Sequence, residues 1–276
     1  MTKELTIAFI GGGNMATALG AGLIGKRCGA HDVHVVDINP SVLEPWVQQG
    51  ATVASAPDEV LASRRVWIFA VKPQYMKEAV QNCRRFLQDD TLVISIAAGI
   101  SSATLGQWLG SPEQPFTRLI RCMPNTPALI GAGASGLMAG AGVSEDEKMV
   151  AQQLMRAVGE VVWVENDAEI DMVTALSGSG PAYVFLFLDA LIQGGVTQGL
   201  SHDQARTLAL ATLTGATQLA ALSPESLTVL RERVTSKGGT TAAAVAVLQE
   251  RQFPDIVQAA MKAAADRAAE LSSEFS

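Results

Sequence analysis

Short apolar runs and amphipathic stretches alternate along residues 1–166. The runs at 5–10, 33–37, 66–71, 92–96 and 116–122 are mostly rich in β-branched residues and flanked by turn or polar residues, which predicts strands. Between them, 14–26, 42–49, 74–87 and 103–109 read as helices. Strands alternating with helices predict parallel βαβ units. Residues 134–139 and 161–165 add two further strands around a helix at 145–158. Ser144 would cap that helix and Glu147 would complete a capping box.

After residue 166 strand-like runs stop and helical ones follow in series. Pro181 stands at the start of a helix, where a missing N–H costs little. Ser201 and Gln204 form a capping box for a helix running to about Leu222. Ser223-Pro224 is read as the cap and first position of another helix, and Pro254 as the start of the last, ending near Leu271. The domains expected are 1–166 and 167–276, the second all helical. Residues 182–192 are apolar on almost every face, with Asp189 the only charge. Such a helix must be covered on all sides. A half this small is too little to surround it, so a second subunit is expected to do so.

Hydrophobic residues make up 48% of the 276, enough for real cores, and aromatics only 5%, so small residues do much of the packing. A net charge of -7 argues against a nucleic-acid partner, which needs a basic field. Cys28, Cys83 and Cys122 are odd in number and show no paired spacing, which suits reduced thiols in a cytoplasmic protein. No secretory signal pattern precedes residue 5. The longest unbroken apolar run, 182–188, is far short of the ~20 residues of a membrane span, so no membrane partner is expected.

The candidate chemistry begins at residues 7–16. Gly11, Gly13 and Ala16 fit G-x-G-x-x-G/A between a strand and a helix. Gly11 makes the turn, Gly13 leaves room for a pyrophosphate, and Ala16 keeps the helix close to the sheet. Phosphates would meet free N–H groups at the helix start. The second strand ends at Asp37, near the expected spacing of ~20 residues, where a carboxylate accepts ribose hydroxyls and repels a 2′-phosphate. By charge alone Asp37 favours NADH, and residues 38–41 offer no arginine for the phosphate. The fold class is therefore α/β, a Rossmann-type dinucleotide-binding domain followed by an all-helical domain. Lys72, after the strand at 66–71, points toward the cofactor edge. Ala97 and Ala98, after the strand at 92–96, suit the underside of a flat ring.

These segments resemble pyrroline-5-carboxylate reductases: Gly-Gly-Gly-Asn-Met-Ala at 11–16, Ala-Val-Lys-Pro-Gln at 70–74, and Arg-Cys-Met-Pro-Asn-Thr-Pro-Ala at 121–128. So do Leu-Ser-Gly-Ser-Gly-Pro-Ala-Tyr at 176–183 and Val-Thr-Ser-Lys-Gly-Gly-Thr-Thr at 234–241, both more specific than the glycine loop. The resemblance implies reduction of 1-pyrroline-5-carboxylate to L-proline with NADH or NADPH. It implies a homodimer built through the helical half, or a higher oligomer. It places the cofactor at Gly11, Gly12, Gly13, Asn14, Met15, Ala16, Asn39, Ala70, Val71, Lys72, Pro73, Ile96, Ala97 and Ala98, beside Asp37, which the spacing alone assigns to the ribose. The substrate would meet Ser236, Gly238, Gly239, Thr240 and Thr241, with Thr241 catalytic at the ring nitrogen, and Asp167 is where some relatives contact proline. Two departures stand out: Lys237 replaces a usual proline, and Asp37-Ile38 replaces the Asn-Arg of many bacterial relatives, so cofactor preference stays open.

The residues suit that chemistry. A protonated cyclic imine is already electrophilic, so placement over the nicotinamide is the main need and no metal is called for. His31, His34 and His202 lie outside any catalytic pattern. Glycines at 238 and 239 before a helix at 242–249 expose N–H groups to a carboxylate. Gly178-Ser179-Gly180-Pro181 reads as a sharp break before the apolar helix. Two other readings remain. A 3-hydroxy acid dehydrogenase would need a catalytic lysine that 167–177 lacks, and a dinucleotide sensor would have no use for the second anion loop.

Overall fold

The computed structural model describes residues 5–275; the outermost residues of the two expected domains lie outside that range. Strand β1 (Ile7–Ile10) passes through a glycine turn into α1 (Asn14–Leu23), and β2 (Val33–Val36) leads to α2 (Pro40–Gln48) and β3 (Thr52–Ala54). Then come β4 (Val66–Phe69), α3 (Pro73–Cys83), β5 (Leu92–Ser95), α4 (Ser102–Leu109) and β6 (Leu119–Met123). The sheet ends with β7 (Gly133–Ala139), α5 (Glu145–Arg156) and β8 (Gly159–Trp163). Strand order is β3-β2-β1-β4-β5-β6-β7-β8. The first six strands follow the doubly wound order of dinucleotide-binding folds.

Parallel strands buried on both faces read as continuous apolar runs. One face packs Ile7, Phe9, Val35, Ile68 and Ile94 against α1, α2 and α5. The other packs Ala8, Ile10, Trp67, Phe69 and Val93 against α3 and α4. Two features depart from the expected βαβ series. Strand β3 was not expected, because three half-exposed residues carry little pattern. Strand β7 runs antiparallel to β6. The link between them, 124–132, is too short for the crossover of about a dozen residues that a parallel pair requires.

The helical segments are α6 (Asp167–Val173), a π-helical turn at Thr174–Gly178, α7 (Gly180–Thr197) and α8 (His202–Leu222). They end with α9 (Leu227–Arg233), α10 (Thr240–Glu250) and α11 (Phe253–Glu274). The expected sharp break at 178–181 is instead that π turn, closed by the Ser179 N–H on the Thr174 carbonyl at 2.8 Å, so the helix runs on. The resulting run Asp167–Thr197 is long and apolar enough to cross a membrane by length and composition; counting only unbroken apolar residues had hidden this. Ser223-Pro224 does not cap α9. Ser226 does, accepting from the Val229 N–H, while the Ser223 hydroxyl accepts from the Glu225 N–H in the turn before it. The capping boxes at Ser144 and Ser201 are present as expected.

The chain divides into two compact units, one of residues through Ser179 together with 264 onward, the other Gly180–Ala263. All the strands lie in the first. In the second, α7 has no buried residue, and Phe185, Leu186 and Leu208 lie exposed. The three cysteines are free thiols. Burial pushes Cys83 and Cys122 up to about 12, so neither is reactive.

His34 on β2 is buried, with Nδ1 2.9 Å from the Thr52 hydroxyl and Nε2 3.1 Å from an Asp58 carboxylate oxygen. Burial outweighs Asp58 and holds the imidazole below its ordinary 6.5. The unfolded chain therefore takes up the proton first. The native advantage is whole above 6.5 and is lost as pH falls from there toward the lowered native value. At fixed protein concentration, the urea midpoint should be lower at about pH 5.5 than at about pH 7.5, and His34→Gln should flatten that difference. An equal drop in the variant would assign the loss to other groups.

Candidate functional site: a dinucleotide cradle and an open helix start

Ile10 is in register with Val36 on one side and Phe69 on the other, and Phe69 with Ser95. The turns that follow these four strands therefore emerge together at the carboxyl edge of the sheet. Sequence order reverses across β1 and β4, and ligands of open α/β sheets bind at such a switch point.

Gly11 has φ +97°, a left-handed conformation, and its N–H donates to the Val36 carbonyl at 2.8 Å. A Cβ there would lie 2.8 Å from the Ala70 backbone carbon. Both facts demand glycine. Gly12 is held on three sides. Its N–H donates to Asp37 Oδ2 at 2.8 Å, and its carbonyl accepts from Trp46 Nε1 at 3.0 Å and from the Thr17 hydroxyl at 3.2 Å. Trp46 comes from α2, buried against Phe9. Sequence reasoning missed its role, although a buried indole N–H usually finds an acceptor.

Gly13 differs. It is exposed, caps α1 without any side-chain hydrogen bond, and a Cβ there would meet nothing within 4 Å. The fold itself has no use for glycine at this point. A cradle that a Cβ would fill, before an uncapped helix start, fits a pyrophosphate. Asn14 is exposed beside it, Met15 packs against the core and Ala16 is buried under the sheet.

Asp37 uses both oxygens on the chain itself, Oδ2 on Gly12 and Oδ1 on the Asn39 N–H at 2.9 Å. Asn39 in turn caps α2 through the Ser41 N–H at 3.1 Å, leaving its amide NH₂ to donate. Ile38 between them is 89% exposed, a bare apolar surface at the rim. Ala70 and Val71 are half-buried, Lys72 is exposed just before α3, and Pro73 opens that helix. Ile96 follows β5 and donates its N–H to the Phe69 carbonyl at 3.1 Å; Ala97 is buried and Ala98 half-buried. The structure thus gathers every residue expected at the cofactor onto one edge. A cavity of about 290 Å³ lies at the other end of the strands, lined by Leu5, Val66 and Leu92 with Arg27 and Arg65, away from the glycine loop.

Asp167 belongs to the same unit, but its carboxylate is engaged. It pairs with Arg121, accepts from the Ser102 N–H at 3.1 Å and from the Ser102 hydroxyl at 2.7 Å. Burial pushes its carboxyl up, but Ser102 and the Arg121 guanidinium outweigh this and hold it below the ordinary carboxylate value. Arg121 on β6 is 2% exposed and was not singled out from the sequence, though an arginine within an apolar strand signals a buried partner.

In the second unit, Ser236, Gly238, Gly239, Thr240 and Thr241 surround the start of α10. Gly238 has φ +73°, and Gly239 donates to the Ser236 carbonyl at 3.0 Å. Gly239, not a threonine, caps α10, and no side chain caps its first turn. Thr240 and Thr241 are the first helical residues, so neither hydroxyl serves as the cap. Lys237 is exposed in the turn.

Comparison with known proteins agrees with both halves. A family model described as pyrroline-5-carboxylate reductase dimerisation matches residues 167–271, and one described as NADP oxidoreductase, coenzyme F420-dependent, matches 6–99. The pyrroline-5-carboxylate reductase of Pseudomonas aeruginosa is 42% identical over 98% of this chain and 97% of its own. A pyrroline-5-carboxylate reductase structure from Coxiella burnetii superposes with TM-score 0.90 at 36% identity, covering 98% of this chain and 99% of that one. The Plasmodium falciparum pyrroline carboxylate reductase, a structure with NADP bound, gives 0.86 at 26% identity, covering 99% and 100%. With the glycine cradle, the open α10 start and this near-complete likeness in hand, the chain belongs to the pyrroline-5-carboxylate reductase family.

Proposed function

We propose that the chain reduces 1-pyrroline-5-carboxylate to L-proline with NADH or NADPH, the last step of proline biosynthesis. The observation that carries this is the near-full-length identity to named reductases. The domain at 1–166 holds the dinucleotide, and the one at 167–276 dimerises and takes the substrate. The protein acts as a cytoplasmic homodimer, which suits its free thiols and the apolar faces of α7 and α8.

The roles follow from the groups present. The N–H groups after Gly13 meet the pyrophosphate, with Gly11, Gly12, Asn14, Met15 and Ala16 shaping the cradle. Asp37 and Asn39 face the adenosine ribose. Each Asp37 oxygen keeps a second lone pair for a hydroxyl, and its charge tilts preference toward NADH. Ala70, Val71, Lys72 and Pro73 line the cofactor, and Ile96, Ala97 and Ala98 lie beneath the flat ring. When bound, the nicotinamide supplies the hydride taken up by the imine carbon. The substrate carboxylate docks in the turn of Ser236, Gly238, Gly239 and Thr240, on its N–H groups other than that of Gly239, which the Ser236 carbonyl takes. The Thr241 hydroxyl, free of any capping duty, holds the ring nitrogen and so fixes which face of the C=N bond is presented. Such placement contributes up to ~7–11 kcal/mol in favourable cases.

Absorbance at the nicotinamide band should fall when the protein meets 1-pyrroline-5-carboxylate and NADH or NADPH; dinucleotide binding without turnover would make it a sensor instead. Thr241→Ala should lower kcat/KM about tenfold, the worth of one oriented hydrogen bond (~1.4 kcal/mol), with the melting temperature nearly unchanged. Unaltered kinetics would remove Thr241 from the reaction. Gly13→Val should leave the fold intact, since a Cβ there meets no protein atom within 4 Å, yet abolish dinucleotide binding in calorimetry. Normal affinity there would move the pyrophosphate elsewhere. Asp37→Ala should weaken both cofactors by loosening Gly12, but NADH more, raising the NADPH/NADH preference ratio; a fall in that ratio would count against ribose recognition.

A further inference from the structure

Asp167 is the first residue of α6, yet its carboxylate caps a different helix. Ser102 opens α4, and its N–H is one of the donors that a helix start leaves without an intrahelical partner. Asp167 accepts that N–H at 3.1 and 3.3 Å and the Ser102 hydroxyl at 2.7 Å. Arg121 on β6 fixes Asp167 from the other side. Arg121 Nη2 lies 4.0 Å from Asp171 Oδ1, and neither atom has a hydrogen-bond partner, so among the described residues Asp167 is the only carboxylate hydrogen-bonded to this buried guanidinium.

The consequence is for the connection 96–101. Its upstream end is tied to the sheet through the Ile96 N–H on Phe69 at 3.1 Å. Its interior turns at Gly99, where φ is +69° and a Cβ would lie 2.7 Å from Leu271 Cβ. Its downstream end is the first turn of α4, which Ser101 caps from within and Asp167 grips from outside. The segment carrying Ile96, Ala97 and Ala98 is therefore held at both ends. The downstream grip comes from residues far away in sequence. A charge-assisted hydrogen bond backed by a buried arginine is a stiffer anchor than a neutral cap.

We propose that Arg121, Asp167 and Ser102 form a positioning relay that sets the conformation of the cofactor loop at 96–98, so that Asp167 acts on dinucleotide affinity without touching substrate. This rests on the reading of Ile96–Ala98 as the surface beneath the nicotinamide.

The relay is tested by fluorescence titration of the full chain with NADPH, alongside the KM for 1-pyrroline-5-carboxylate. Ser102→Ala should raise the cofactor Kd about fivefold, because only part of the worth of the lost hydrogen bond to a charged group reaches the loop, and leave the substrate KM within about twofold. Ser102→Thr, which keeps the hydroxyl, should stay within about twofold of the parent on both. Asp167→Asn should weaken the cofactor further; it leaves Arg121 without its counter-charge, so Ser102→Ala decides the matter if that variant does not fold. A fivefold rise in substrate KM with cofactor Kd unchanged would return Asp167 to the substrate and overturn the relay. Ala98→Val separates the two layers. If it weakens NADPH while Ser102→Ala does not, the loop meets the cofactor but the relay is purely structural. If Ala98→Val leaves NADPH binding unchanged, the loop is not at the cofactor and the relay falls with it.

Discussion

Four parallel strands end at one level because their pairing leaves no other choice: Ile10 faces Val36 and Phe69, and Phe69 faces Ser95. A one-residue slip in any of these pairs would turn its apolar residues to the opposite face. Since both faces of these strands are packed, register is held by two layers of core at once. The turns at Gly11, Asp37, Ala70 and Ile96 inherit their alignment from that packing. Binding geometry at the edge is thus a by-product of core energetics, and the turns need only local chemistry to finish it.

That local chemistry consists of polar side chains reaching into neighbouring turns. Asp37 grips Gly12, Trp46 grips the same residue from α2, and Asp167 grips Ser102. Each satisfies a backbone group that would otherwise be left unpaired at a strand end or helix start. The Arg121 site is the most demanding. Removing a guanidinium from water costs several kcal/mol, and attraction to a carboxylate offsets this only with good geometry. Asp171 stands nearby, its carboxyl raised by burial, with Arg121 pulling it back and Asp167 adding to the rise. Well-packed apolar residues could fill this space at less electrostatic cost. They could not reach across to the first turn of α4.

Much of this fold is legible in the chain, for identifiable reasons. Strands β1, β2, β4 and β5 show as unbroken apolar runs because both faces are buried. The boxes at Ser144 and Ser201 show because capping is a contact between near neighbours in sequence. The glycine loop shows because its glycine spacing falls between a strand and a helix; the structure adds that the fold demands glycine at 11 and not at 13. What stayed hidden depends on distance or on close alternatives. Strand β3 is three residues long and half-exposed. Two serines near Pro224 could each have capped α9, and Ser226 lies next to the helix that forms. The π turn before α7 leaves no composition signal. Asp167 could be picked out only by resemblance to relatives, since its partners lie 46 and 65 positions away, and no pattern within a helix or strand reports them.

The second unit raises a different physical question, since it has a helical grammar without a core. Ala205 and Ala209 are its buried apolar residues, while α7 and α8 expose phenylalanine and leucine along their lengths. Apolar area of this kind is worth roughly 25 cal/mol per Å² when removed from water, so leaving it bare forfeits the term that normally stabilises a domain. Monomeric proteins rarely expose a contiguous apolar patch beyond a few hundred Å². The unit therefore has the composition of half a core. A family model named for dimerisation covers it, and a second copy offers the one surface guaranteed to match in shape and abundance. It follows that this unit gains stability from homo-oligomer formation, so its stability is tied to protein concentration in a way that the packed sheet's is not.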